Sequence, residues 1–197
     1  MKAILILILF ANQLFAQSFG QNKVQYDTFD WEYVVSPNTN VYYYGDNYDL
    51  AIFTSKVAEK SLEQIGKHLR WTSNKPIKII VYTSHNDFQQ TNVVNVYMSE
   101  GVGGVTELYK NRIVIPFEGS YSQFEHVIHH ELVHAAINEL IYGGNAQGLI
   151  SGRILLQVPL WTNEGLAEFL SVDWDTNSDM VMRDLAIEER LPSIPEL

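Results

Sequence analysis

The chain contains no cysteine in 197 residues. That excludes disulfides, thiolate zinc sites, a Cys nucleophile and a lipid-modified Cys. Cations are scarce as well. Thirteen Lys and Arg stand against 23 Asp and Glu, a formal net charge of −10. Such an acidic surface repels phosphate backbones and argues against a nucleic-acid partner. No apolar run reaches the roughly 20 residues that span a bilayer. There is no internal repeat, no low-complexity tract and no G-x-S-x-G nucleophile elbow. What is present is globular material, 46% hydrophobic, enough for the core of one domain but not of two.

The N-terminus reads as an address. Met1-Lys2 carries one positive charge, Ala3 to Ala11 is almost unbroken Ile, Leu and Phe, and Ala16 is a small residue where cleavage would fall. Residues 1–16 are therefore expected to be a secretory signal peptide, with an uncleaved anchor as the alternative. The domain would then occupy 17–197. It would lie outside the cytoplasm of a bacterium: periplasmic, associated with the outer membrane, or secreted. No transmembrane span is expected after cleavage.

Periodicity places the elements. Trp31–Val35 and Asn40–Tyr44 read as short strands around a turn at Ser36-Pro37-Asn38. Leu50–Leu69 repeats Phe53, Val57, Ala58, Leu62, Ile65 and Leu69 at helical spacing. Ile77–Tyr82 is a β-branched run typical of a buried strand. Ser84 to Gln90 is a loop or single helical turn, with Ser84 and Asp87 at capping spacing. Val105–Leu108 and Arg112–Phe117 flank Lys110-Asn111 as a hairpin. The glycines at 101, 103 and 104 match no phosphate-binding pattern and read as backbone permissiveness. Ser122–Tyr142 is the strongest helix, with Ser122 and Glu125 as its capping box and Gly143-Gly144 as its stop. A connector runs to Pro159. Thr162–Ser171 and Met180–Glu189 are helical in pattern, and the chain ends extended from Leu191.

The chemistry sits on the strong helix. His130-Glu131-Leu132-Val133-His134 is an H-E-x-x-H motif. Residues i and i+4 share a helix face, so both imidazoles can reach one metal, and Glu131 beside them can reach a water. The helix is apolar on nearly every side, and buried His and Glu need a partner there. A metal supplies one; hydrogen-bonded core histidines are the alternative. His126 also shares this face. The rise from 126 to 134 is about 12 Å, whereas metal-bound nitrogens lie roughly 3 Å apart. One straight helix cannot converge all three, so His126 is expected beside the site, on the cleft wall, or as a structural His. His129 points elsewhere. His68 and His85 are solitary.

A catalytic zinc needs a third protein ligand and one open position. Glu164 and Glu168 lie one turn apart on the Thr162–Ser171 helix, among Leu166, Ala167, Phe169 and Leu170. Two such carboxylates repel each other without a cation. The expected division gives Glu164 the metal and Glu168 a hydrogen bond to a ligating His. A solvated acidic face is the alternative.

These residues resemble a gluzincin metallopeptidase, whose third ligand is a Glu on a second helix. Asn163-Glu164 with Glu168 is similar to the N-E-x-x-S-D signature, Glu168 standing where an Asp is more usual. The chain more closely resembles the peptidase MA-like domains of exported bacterial proteins. The matching stretches are His85–Asn92, Glu100–Gly104, Asn111–Ser120, His130–His134 and Trp161–Phe169. They span most of 26–197. That family's domain often precedes a TolB-like β-propeller.

The resemblance implies an α+β, zincin-like fold: a small mixed sheet with an N-terminal helix, an active-site helix and a glutamate helix. It implies a Zn2+ cofactor held by His130, His134 and Glu164, with Glu131 as general base and a peptide or protein as substrate. In zincins an edge strand takes the substrate as an added strand. Arg112, Ile113, Val114 and Ile115, or the partner strand Val105–Leu108, would serve here, with ordinary sheet interior as the alternative. Gluzincins also place a Tyr or His beyond the glutamate helix. None occurs from Gly165 to Leu197, where only Arg183 and Arg190 donate strongly. The expectation is a domain truncated at its C-terminal end, or a donor elsewhere among Tyr142, Tyr121 and His126. Two rival readings stand beside the peptidase: a zinc-stabilised binding module, and a zinc hydrolase of a non-peptide bond such as a cell-wall amide.

Overall fold

Along 39–44, Thr39, Val41 and Tyr43 turn inward while Asn40, Tyr42 and Tyr44 stay half-buried. That period of two makes the segment a strand with one core face. The computed structural model in which it is seen describes residues 26–93, 102–108, 110–143, 158–172 and 174–193. The expected signal peptide 1–16, the connector 144–157 and residues 194–197 lie outside these.

Strands β1 (Trp31–Val35) and β2 (Thr39–Tyr44) form the expected antiparallel pair. Helix α1 (Tyr48–Leu69) follows, and β3 (Ile77–Tyr82) returns parallel to β2. α1 starts two residues before the expected Leu50. Helix α2 (His85–Phe88) is the single turn expected after Ser84, whose side chain accepts the Asp87 N–H. Strands β4 (Val105–Glu107) and β5 (Arg112–Pro116) make the expected hairpin around Asn111, whose φ of 51° closes the turn. The sheet order is β1-β2-β3-β5-β4, with β5 parallel to β3. The chain is thus a mixed α/β structure with a five-stranded mixed sheet, compatible with the α+β class.

Helix α3 (Tyr121–Tyr142) carries the H-E-x-x-H motif. Its cap is Ser120, not Ser122: Ser120 is extended and its Oγ accepts the Gln123 N–H, while Ser122 already lies in the first turn. Ser120-x-x-Gln123 and Ser122-x-x-Glu125 both fit a capping box. The sequence pattern did not separate them. Gly143 ends α3 at φ 72°, a left-handed position that suits glycine. Helices α4 (Leu160–Val172) and α5 (Thr176–Ile187) complete the described elements. α5 begins four residues earlier than expected because Asp175 caps it, accepting the Ser178 N–H at 2.7 Å.

The main core lies between one face of the sheet and helices α1, α3 and α4. Val41, Ile79, Ile113 and Ile115 meet Ala58, Ile65, Ile128 and Leu132 there, all fully buried. Each of the Val, Ile and Leu side chains contributes about 1.5–3 kcal/mol. The other face carries a smaller cluster of Tyr82, Phe88 and Val114 with Phe29, Tyr44 and Val105. None of the described helices is long and apolar enough to cross a membrane.

One expectation is corrected. Arg112, Ile113, Val114 and Ile115 do not form an edge that a substrate can join. Their strand, β5, is paired on one side by β3 and on the other by β4. Ile113, Val114 and Ile115 are fully buried. Arg112 is held by Glu107, its Nε 2.6 Å from Oε2. Among the described residues the sheet's edges are β1 and β4, and β4 is the one beside the H-E-x-x-H helix.

Candidate metal centre

α3 presents His130 and His134 one turn apart, and α4 packs along it with Glu164 facing them. His134 Nε2 lies 3.1 Å from His130 Nε2. Glu164 Oε2 lies 3.3 Å from His130 Nε2 and 3.4 Å from His134 Nε2. Three donors of the right chemistry thus form a nearly equilateral triangle. Tetrahedral zinc, with bonds of about 2.0–2.1 Å, separates its ligand atoms by roughly 3.3–3.4 Å. The triangle fits a divalent cation of that size. His134 is 9% exposed and Glu131 6%, so two of the site's polar groups are withdrawn from solvent.

Glu168 lies one turn along α4. Its Oε2 is 3.3 Å from His130 Nδ1 and 3.5 Å from His126 Nε2. A proton on His130 Nδ1 donated to that carboxylate leaves the Nε2 lone pair directed at the triangle. His126, His130 and Glu168 also form a second set able to hold a metal. It uses the opposite nitrogen of His130 and competes with that hydrogen bond.

The triangle opens into a cleft of about 640 Å³. Its floor is α3, one wall is α4, and the facing wall is Gly103, Gly104, Thr106 and Leu108 around β4. Glu131 reaches across this cleft. Thr106 Oγ1 lies 2.6 Å from Glu131 Oε2 and 3.0 Å from the Glu131 carbonyl. Burial raises the Glu131 pKa above the usual carboxylate range; Thr106 and His134 pull it down, and Glu164 adds to the rise. Gly104 is a glycine for a steric reason. A Cβ there would stand 2.9 Å from Glu131 Cγ, Glu131 Oε1 and Ile115 Cγ2. A further contact registers the hairpin on the helix: Asn111 Nδ2 donates to the Ala135 carbonyl at 3.1 Å.

Sequence reading alone did not single out Thr106, and it read Gly104 only as a flexible residue. Their one signal is position, Thr106 on a short strand that must pack somewhere and Gly104 just before it. Of the other expected residues, His126 and Tyr142 line the cleft. Tyr121 does not: it packs against Phe53 and Phe117 at the start of α3, with ring centroids 4.7 and 4.9 Å away. His129 joins neither set; burial, then His126, His68 and Lys60, hold its pKa below the ordinary value. His85 pairs with Glu118, Nδ1 to Oε1 3.2 Å. No family model, no curated protein and no solved structure matches the chain.

Proposed function

We propose that the chain is a zinc-dependent peptidase of gluzincin type with a zincin-like fold, acting outside the cytoplasm. The observation that carries this reading is the donor triangle of 3.1, 3.3 and 3.4 Å beside a buried carboxylate in an open cleft. His130, His134 and Glu164 would hold the ion. When bound, zinc polarises the scissile carbonyl and brings the pKa of a bound water toward about 7.

The chain's own residues do the rest. Glu131, one residue from a ligand and facing the cleft, accepts the proton of the attacking water and returns it to the leaving amine. Its raised pKa suits a group that must both take and give a proton. Glu168 orients His130. An extended peptide adds to the free edge of β4, which lines the cleft, by main-chain pairing. His126 and Tyr142 line the cleft and would be the donors to a developing oxyanion. Export follows from the N-terminal 16 residues, and a C-terminal propeller partner from the family likeness.

Two measurements test this. Purified protein should hold about one zinc per chain, lost in Glu164→Ala. On a mixed peptide library the wild type should cleave and Glu131→Gln should not. Metal retention with equal inactivity of both proteins would support the binding module instead. Cleavage confined to peptidoglycan amides would move the substrate class.

A further inference from the structure

We propose that Thr106 is a positioning residue for Glu131, so that strand β4 sets the geometry of the proton acceptor as well as offering the cleft its free edge. This rests on the hydrolytic reading above. The H-E-x-x-H spacing places the Glu131 Cα but leaves its side-chain torsions open. A carboxylate on a flexible stem must be fixed by something outside the helix if it is to meet a water at a defined angle.

The fixing contact is on β4. Thr106 Oγ1 is 2.6 Å from Glu131 Oε2 and 3.0 Å from the Glu131 carbonyl. A hydroxyl has one proton to give, and the nearer, charged oxygen is the stronger acceptor. Thr is stiff at χ1 in a strand. The strand itself is registered, with Thr106 opposite Ile113. On the other flank Gly104 has no side chain, and only that lets Glu131 Oε1 occupy its place. The carboxylate is therefore held between a hydroxyl and a bare backbone. Oε2 is tied to the strand and Oε1 is left for proton transfer. A hydroxyl that merely clasped β4 to α3 would need the carbonyl alone.

The test compares zinc-loaded wild type, Thr106→Val and Thr106→Ser on the peptides the wild type cleaves best. Thr106→Val keeps the shape and loses the proton. Its kcat should fall about 10- to 100-fold, the range for groups that orient active-site residues. KM and zinc content should stay near wild type, the thermal midpoint should drop only by the few degrees that one lost hydrogen bond costs, and Thr106→Ser should restore most of the rate. The proposal is overturned if Thr106→Val keeps wild-type kcat, if Ser does no better than Val, or if zinc content and midpoint fall in step with the rate. A wild type that cleaves nothing would sink the hydrolytic reading instead. Crystal structures of the zinc-loaded wild type and Thr106→Val then decide the positioning: a Glu131 carboxylate swung from its place supports it, and one unmoved refutes it.

Discussion

Glu59 on α1 and Glu131 on α3 both leave bulk solvent for a polar niche, but the niches differ in how many protons they offer. Glu59 accepts from Ser36 Oγ, from Asn38 N at 2.9 Å, from Asn38 Nδ2 at 2.8 Å and from Thr39 Oγ1 at 3.3 Å. Burial opposes its charge, yet those donors outweigh burial and hold its pKa below the usual carboxylate range. Glu131 has the Thr106 hydroxyl as its hydrogen-bond donor, and burial wins. The donors around Glu59 make it a fixed anion that ties the β1–β2 turn to α1. At Glu131 the Thr106 hydroxyl is the one side-chain donor among the described residues, too little to offset burial. Donor count and depth together separate the two: Glu59 is half-buried among several donors, whereas Glu131 is 6% exposed beside the Thr106 hydroxyl.

Substitutions break the comparison at either end. The largest effect is expected from Glu131→Gln, which removes the proposed proton acceptor. Hydrolysis should fall about 10³-fold while zinc content is unchanged, as read by rate and metal assay on one preparation. Next comes Gly104→Ala. Its new methyl would meet Glu131 and Ile115 at 2.9 Å, so the carboxylate must move. A loss of about tenfold or more in rate is expected, again without loss of metal.

At the structural niche the readout is stability. Glu59→Gln should cost about 2 kcal/mol at pH 7, since it removes charge from several donors at once. The sign with pH follows from the lowered pKa. The Glu59 contribution is complete above its unfolded value of about 4.3 and is lost as pH falls through the lower folded value. Urea melts at pH 7 and pH 3 should therefore show wild type and Glu59→Gln converging in acid. A gap as wide at pH 3 as at pH 7 would refute the charged niche. Ser36→Ala removes one donor of the set and should cost only about 1 kcal/mol in the same melts.

Much of this was legible in the residues, for local reasons. Strand and helix positions follow from periods of two and about 3.6, which a chain displays before it folds. The pairing of His130 with His134 is likewise local, because i and i+4 always share a helix face. What misled was ambiguity between neighbours. Ser120 and Ser122 offer equal caps, and only the extended backbone at Ser120 chose between them. β5 and β4 offered equal candidates for the edge, and only the order β3-β5-β4 buried one and left the other open.

The amino-acid sequence alone set the elements, the acidic charge and the two imidazoles one turn apart, since each depends on residues within a few positions of one another. Tertiary structure decided the rest: Glu164 set 3.3 and 3.4 Å from the two histidines 34 and 30 positions earlier in the chain, and Thr106 and Gly104 closing around Glu131. Distances between atoms far apart in the chain are fixed only when helix and sheet pack, and packing is a property of the whole core.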